Sequence, residues 1–172
     1  TIFLLNFDGS IITVGSTSLI SNIEISNITL QGTNSFQTSS AGVNITGSGV
    51  TYMNISNCIF KVLFYRGINC DNSTIGYSKI ENNYFNLPFT DYQIYIKIQG
   101  TIYGGDSIIG NRFEQCDSST IYMESLEDSE IIRNNLNLGK QNQQGIYLSS
   151  CTFINIQNNK ISSSNISELN LV

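Results

Sequence analysis

The amino-acid sequence predicts an all-β chain folded as a right-handed parallel β-helix, a solenoid of about six stacked coils of roughly 25 residues each. Two observations predict this fold: a short apolar motif recurs six times along the 172 residues, and a second motif keeps nearly the same period. The composition agrees, because Ile, Ser, Thr and Asn are abundant and Pro occurs once. β-Branched residues favour strands, whereas Asn and Ser favour turns.

The first motif is a six-residue pattern in which Ile is followed by polar residues, often Asn, and then by Phe, Leu or Ile. Successive copies begin 30, 25, 28, 23 and 25 residues apart. We expect the Ile of every copy to be buried and stacked on the Ile of the next copy. The copies begin at Ile25, Ile55, Ile80, Ile108, Ile131 and Ile156.

The second motif is a pair of apolar residues separated by one residue. Residues i and i+2 of a strand point to the same side, so each pair predicts a short strand with one buried face. Stacking coils about 4.8 Å apart would pair each strand with its equivalents. Two inward columns are then predicted: Val43, Ile68, Ile96, Ile121 and Ile146, and Leu30, Phe60, Phe85, Phe113, Leu136 and Ile161.

Asparagine recurs in the same register. A turn residue often adopts the left-handed conformation, which Asn tolerates well, and stacked Asn amides can hydrogen-bond along the axis. The register therefore predicts an asparagine ladder, although exposed turns that merely favour Asn are the alternative. One column contains Asn83, Asn111, Asn134 and Asn159, and the position before it contains Asn27, Asn57, Asn82 and Asn158.

The I-x-N-N-x-F and G-I-x-L repeats, over roughly residues 11–165, resemble the pectate-lyase-like family of right-handed β-helices. That family includes polysaccharide lyases, polygalacturonases and viral tailspikes. The resemblance specifies the fold and says little about activity. It implies a polysaccharide or cell-surface glycan as partner and, for a spike, a homotrimer. The chain has no His and so lacks the Gly-His-Gly element of polygalacturonases.

A leucine-rich repeat is the competing fold, because its signature also places Asn after a short apolar strand. Residues 154–161 fit that signature. The connecting segments, such as residues 145–150, are polar and strand-like and show no helical stripe. The β-helix is therefore favoured.

Charge and hydropathy exclude two classes of partner. The net charge is −5 and the eight Lys and Arg residues form no cluster, so nucleic acid is not expected. No apolar run approaches the length of about 18 residues that a membrane-spanning helix needs.

We interpret residues 1–172 as one domain. The apolar stretch 2–5 follows no initiator Met or signal peptide, which favours a fragment of a longer chain, extracellular or on a virion surface.

Metal and cofactor chemistry is not expected. Without His, the Ser-His-Asp and Cys-His arrangements and most zinc sites are excluded. No cluster of Asp residues suits calcium, and the segment 104–106 is interpreted as a turn. The four cysteines fall in four different columns, whereas a disulfide needs Cα atoms within about 7 Å. We therefore predict free thiols at Cys58, Cys70, Cys116 and Cys151.

Coil length varies mainly between the end of the first motif and the next strand of the second motif. The longer segments are 31–42, 86–95 and 137–144, and insertions on one edge of a solenoid often mark a binding face. Phe36, Phe89 and Tyr92 within them can stack on sugar rings or cover the solenoid locally. We take Phe89 and Tyr92 as candidate glycan-binding residues.

The outward positions of the second motif suggest a site. Asp71 and Glu124 lie two coils apart, hence about 9–10 Å along the axis, near the upper limit for an inverting glycosidase. They are the candidate catalytic pair, and Lys97, Tyr122 and Tyr147 would bind glycan on the same sheet, with Gln99 level with the carboxylates. A solvated polar face without function is the alternative.

Three functions are compatible with these observations. The favoured one is a virion-surface or tailspike-type module that binds host polysaccharide. The second is a glycoside hydrolase or polysaccharide lyase of the same fold. The third is a structural stalk of a surface adhesin, with no ligand of its own.

Overall fold

A computed structural model describes residues 2–4, 9–32, 40–61, 65–86, 92–97, 104–114, 120–138 and 144–163. All 22 secondary-structure elements in these ranges are β-strands, and every strand pairing is parallel. The chain is therefore all-β and forms a parallel β-solenoid, as the sequence predicts. Its right-handedness remains a prediction.

Three sheets run along the solenoid, and a fourth, short sheet of three strands lies beside its first coils. The tyrosine sheet contains β2 (Ser10–Ser16), β6 (Ala41–Gly47), β10 (Arg66–Asp71), β14 (Ile94–Lys97), β17 (Ile121–Glu124) and β20 (Ile146–Ser149). The short sheet contains β3 (Ile20–Ser21), β7 (Val50–Thr51) and β11 (Ile75–Gly76). The isoleucine sheet contains β4 (Glu24–Ser26), β8 (Asn54–Ser56), β12 (Lys79–Glu81), β15 (Ser107–Ile109), β18 (Glu130–Ile132) and β21 (Asn155–Gln157). The phenylalanine sheet contains β1 (Ile2–Leu4), β5 (Thr29–Gln31), β9 (Ile59–Lys61), β13 (Tyr84–Asn86), β16 (Arg112–Glu114), β19 (Asn135–Leu138) and β22 (Lys160–Ser163).

The isoleucine sheet aligns the six Ile residues of the first motif. Five of them are buried, as predicted. The prediction is wrong for Ile156, which is 47% exposed. Ile156 lies on β21, the terminal strand of this sheet, so only one neighbouring strand of the sheet covers it.

The phenylalanine sheet confirms the second inward column, from Leu30 to Ile161. The ring centroids of Phe60 and Phe85 are 4.5 Å apart, and those of Phe85 and Phe113 are 4.9 Å apart. The three rings are stacked and fully buried. Burial of large apolar side chains on every coil is the main favourable term for such a fold.

The tyrosine sheet corrects one register. Ile68 pairs with Ile94, and Ile94 with Ile121, so Ile94 takes the position predicted for Ile96. Ile96 lies instead in the next inward column, between Cys70 and Met123. Apolar residues alternate at 94, 96 and 98. A shift of two residues therefore keeps apolar side chains inside, and the pattern alone did not distinguish the two registers.

The asparagine ladder is confirmed. The Oδ1 atom of each ladder Asn accepts a hydrogen bond from a backbone N–H of the preceding coil, at 2.8–2.9 Å. Each side-chain amide also donates to an Ile carbonyl at 2.7–2.9 Å. The ladder thus satisfies backbone groups at a turn where no strand pairing is available. Its members are Asn83, Asn111, Asn134 and Asn159.

Residues with positive φ lie at the turns of the solenoid. The turn between the isoleucine and phenylalanine sheets, here the asparagine corner, contains Asn27, Asn57, Asn82, Gly110, Arg133 and Asn158. The left-handed conformation predicted for its four Asn residues is confirmed. The turn before the isoleucine sheet, here the short-sheet corner, contains Asn22, Tyr52, Tyr77, Gly105, Asp128 and Phe153.

Free thiols are confirmed at Cys58, Cys70 and Cys151, whereas Cys116 lies outside the described residues. Burial raises the pKa of the Cys70 thiol to about 12, so it remains protonated and unreactive. The part of the chain that the structure describes contains no helix long and apolar enough to cross a membrane.

Candidate functional site

The outer face of the tyrosine sheet brings the predicted site residues into two adjacent columns. Parallel pairing places equivalent side chains directly above one another, so each column is continuous. The tyrosine column is Asn44, Asn69, Tyr95, Tyr122 and Tyr147. The charged column is Asp71, Lys97, Glu124 and Ser149.

The three tyrosines form one stack along the axis. Ring centroids are 4.7 Å apart between Tyr95 and Tyr122 and 5.0 Å apart between Tyr122 and Tyr147, and each pair is within 10° of parallel. Tyr92 packs against this stack, with centroids 5.2 Å from Tyr95 and 5.0 Å from Tyr122. Because the rings cover one another, the Tyr122 faces are unavailable to a sugar ring. The hydroxyl edges are what this column offers to a ligand.

Arg66 covers the Tyr95 end of the stack. Its guanidinium carbon lies 3.5 Å from the Tyr95 ring centroid, a cation–π geometry. The same side chain donates to Asn69 Oδ1 at 2.6 Å and lies 3.5 Å from Asp71 Oδ2. Asn69 in turn donates to Asn44 Oδ1 at 2.7 Å. This network holds the polar side chains in place on the two coils whose residue in the tyrosine column is Asn44 or Asn69.

The charged column alternates in sign. Lys97 Nζ lies 3.3 Å from Glu124 Oε1, and the Tyr122 hydroxyl donates to Glu124 Oε2. The Tyr122 hydrogen bond, followed by that of Lys97, lowers the pKa of the Glu124 carboxyl. The same bond raises the pKa of Tyr122, because ionisation would place two negative charges together. Glu124 is therefore held as a carboxylate with both oxygens engaged.

This sheet contains the proposed catalytic pair with Lys97 between its two members. Asp71 and Glu124 are separated by two parallel strand spacings, about 9–10 Å. Lys97 lies in the column predicted for Gln99, between Asp71 and Glu124. Tyr95 lies in the column predicted for Lys97. An inverting glycosidase needs one carboxyl whose pKa is raised. Glu124 has the opposite shift, and Asp71 is exposed and paired with Arg66.

Sequence reasoning missed two residues of this face. Tyr95 fell within the predicted loop segment 86–95, because the predicted strand began two residues too late. Arg66 precedes the motif and carries no repeat signal, although a basic residue at a strand start beside outward aromatic residues was the available hint. Of the loop residues, Tyr92 lies on the stack and Phe89 lies outside the described residues.

Among the residues that the structure describes, no three His, Cys, Asp or Glu side chains are placed to hold a metal ion. No protein-family model, curated protein or solved structure matches this chain.

Proposed function

We propose that the chain is a β-solenoid module of a virion surface or tailspike-type fibre that binds host-surface polysaccharide along the outer face of its tyrosine sheet. The observation that supports this most is the continuous charged column beside the tyrosine stack. It offers hydrogen-bond donors and acceptors at a repeat of about 4.8 Å over several coils. Such an extended, repeating surface suits a linear polymer better than a small molecule.

The chemistry of the column suits hydroxyl-rich ligands. Lys97 donates, Asp71 and Glu124 accept, and Tyr147 carries a hydroxyl that does both. Hydrogen bonds to charged groups are stronger than neutral ones. The fixed stack and the Arg66 network hold these groups in place before binding, which reduces the entropic cost of association.

Binding is favoured over cleavage by the state of the two carboxyl groups. Hydrolysis needs a partly desolvated acid, and Glu124 is stabilised in its ionised form. Asp71 lies beside Arg66 and is exposed to solvent, so its carboxyl group is not desolvated either. In this proposal the module acts as an attachment surface and the fibre is a homotrimer.

The test is an array of neutral and acidic polysaccharides, followed by titration of those retained. Lys97→Ala should weaken binding about tenfold or more, because a charged hydrogen bond is lost. Lys79→Ala is the matched control, since Lys79 is an exposed lysine on the isoleucine sheet. If no polysaccharide is retained, or if both variants bind equally well, the proposal fails. A rigid stalk would then account for the ladder and the stack.

A further inference from the structure

Three aromatic residues of the short-sheet corner adopt a backbone conformation that aromatic residues rarely adopt. The φ angles of Tyr52, Tyr77 and Phe153 are 53°, 51° and 54°. A left-handed backbone brings Cβ close to the following carbonyl oxygen, and only Gly and Asn accept it readily. The asparagine corner meets the same demand mainly with Asn and Gly. Stability alone would select those residues here too.

The same three side chains are exposed. Tyr52, Tyr77 and Phe153 are 57%, 47% and 81% accessible to solvent. Tyr52 and Tyr77 follow strands β7 and β11 on inner coils, so their exposure is not an effect of a solenoid end. Their rings stack with centroids 5.2 Å apart. Strained backbone combined with exposed aromatic surface is a pattern of binding sites.

A cleft lies along this corner from Gly105 to Phe153. At the position after Tyr77 the corner has Gly105, and a Cβ atom there would lie 2.8 Å from Tyr77 Cδ1. Past Gly105 the cleft opens to ≈ 370 Å³. Tyr77 and Phe153 are three coils apart, about 14 Å at the strand spacing. The lining includes Gly105, Ser107, Asp128, Glu130, Phe153 and Asn155.

The charge of the cleft selects its ligand. Asp106, Asp128 and Glu130 line it, and none of its described lining residues is Lys or Arg. Asp106 is only 3% exposed, and its Oδ2 atom has no hydrogen-bond partner among the described residues. Glu130 is oriented by Ser107, whose hydroxyl donates to Oε1 at 3.0 Å. Carboxyl acceptors attract hydroxyl and ammonium donors and repel carboxylates and sulfates.

We propose that the short-sheet corner from Tyr77 to Phe153 is a second binding subsite, for a neutral or amino-sugar-containing oligosaccharide. The exposed aromatic rings contact the apolar C–H face of a sugar, and the cleft carboxyl groups accept its hydroxyl or ammonium hydrogens. Phe153, the most exposed of the three rings, provides this platform, whereas Tyr122 on the tyrosine sheet is covered on both faces. The subsite shares the glycan class of the proposed function and is independent of the tyrosine sheet.

The experiment is calorimetric titration with three probes: a neutral gluco-oligosaccharide, a partly deacetylated chito-oligosaccharide and an oligouronate. The wild-type chain should bind at least one of the first two and should bind the oligouronate more weakly at this subsite. Phe153→Asn should weaken that binding at least tenfold while the melting temperature stays constant or rises, because Asn relieves the backbone strain. Tyr77→Asn should weaken binding in the same way.

Arg133→Asn is the matched control, since Arg133 has φ 56° at the asparagine corner and carries no aromatic ring. It should change stability in the same direction and leave oligosaccharide binding unaltered. Neutral or amino sugars that bind Phe153→Asn and Tyr77→Asn as tightly as the wild type would overturn the subsite. Absence of binding of both sugars by the wild type would overturn it too.

Lys97→Ala separates this subsite from the tyrosine-sheet proposal. Loss of binding in Phe153→Asn with full binding in Lys97→Ala supports the corner and contradicts the sheet. The reverse result supports the sheet and contradicts the corner.

Discussion

Asn111 Oδ1 accepts a hydrogen bond from the backbone N–H of Asn83 at 2.9 Å, one coil earlier in the solenoid. The Asn111 side-chain amide donates to the Ile80 carbonyl at 2.8 Å. One buried side chain thereby satisfies a donor and an acceptor of the backbone at a turn. The same arrangement recurs on either side of it, at Asn83 and Asn134.

Replacing Asn111 with Ala should destabilise the chain by about 1–3 kcal/mol, because it leaves buried backbone groups without partners. Chemical denaturation of the variant and the wild type measures the difference. Asn82→Gly is a suitable comparison, since Asn82 is exposed and its positive φ suits glycine. An unchanged unfolding free energy for Asn111→Ala would show that the ladder adds no stability.

Replacing Phe85 with Ala should cost about 3–5 kcal/mol, since the change removes a buried ring and leaves a cavity. Phe85 is the middle ring of the Phe60–Phe85–Phe113 stack. Tyr84→Ala, on the same strand with its side chain only partly buried, should cost clearly less. A cost below about 1 kcal/mol for Phe85→Ala would contradict the inward column.

Asp106 makes stability depend on pH. Burial raises the pKa of its carboxyl from 3.8 to about 7, partly opposed by the hydrogen bond from the Ser78 N–H. The folded state therefore binds more protons than the unfolded state between these values, and stability falls as pH rises through that window. The destabilisation by the buried Asp106 carboxylate is complete above about pH 7. It disappears below pH 3.8, the pKa of this carboxyl in the unfolded chain.

Asp106→Ser should remove this dependence. Ser78 and Ser129 hold the equivalent position in the neighbouring coils, and their hydroxyls accept the same type of backbone hydrogen bond. Thermal melts at pH 4 and pH 8 compare the two proteins. The variant should exceed the wild type at pH 8 by more than at pH 4, and an equal difference at both values would contradict the assignment.

A separate experiment tests whether the tyrosine sheet cleaves polysaccharide. Because Tyr122 and Lys97 hold Glu124 ionised, we expect no new reducing ends when the chain is incubated with a polysaccharide that it binds. If reducing ends do form, Glu124→Gln should abolish them and leave binding largely intact. Cleavage that persists fully in this variant would exclude the Asp71–Glu124 pair.

The sequence predicted the fold because two motifs with one common period constrain it strongly. The Phe and Ile columns and the asparagine ladder followed from spacing alone. The column occupied by Lys97 could not be predicted in the same way. Alternating apolar residues at 94, 96 and 98 permit two registers, and both of them bury Ile.

The short-sheet corner was not predictable either. Left-handed turn positions are recognised from Asn or Gly, and Tyr52, Tyr77 and Phe153 carry neither signal. The charge of the cleft arises from two successive coils, with Asp106 on one and Asp128 and Glu130 on the next, which the fold brings together. Only the stacked structure reveals that these residues share a surface.

The most direct test of the proposed function is a two-dimensional amide NMR titration of the wild-type chain with a fragment of a polysaccharide that it binds. We expect shifts concentrated at Lys97, Tyr122, Glu124 and Tyr147, with the phenylalanine sheet unchanged. A bound fragment that shifts only residues away from the outer face of the tyrosine sheet would contradict the proposed function.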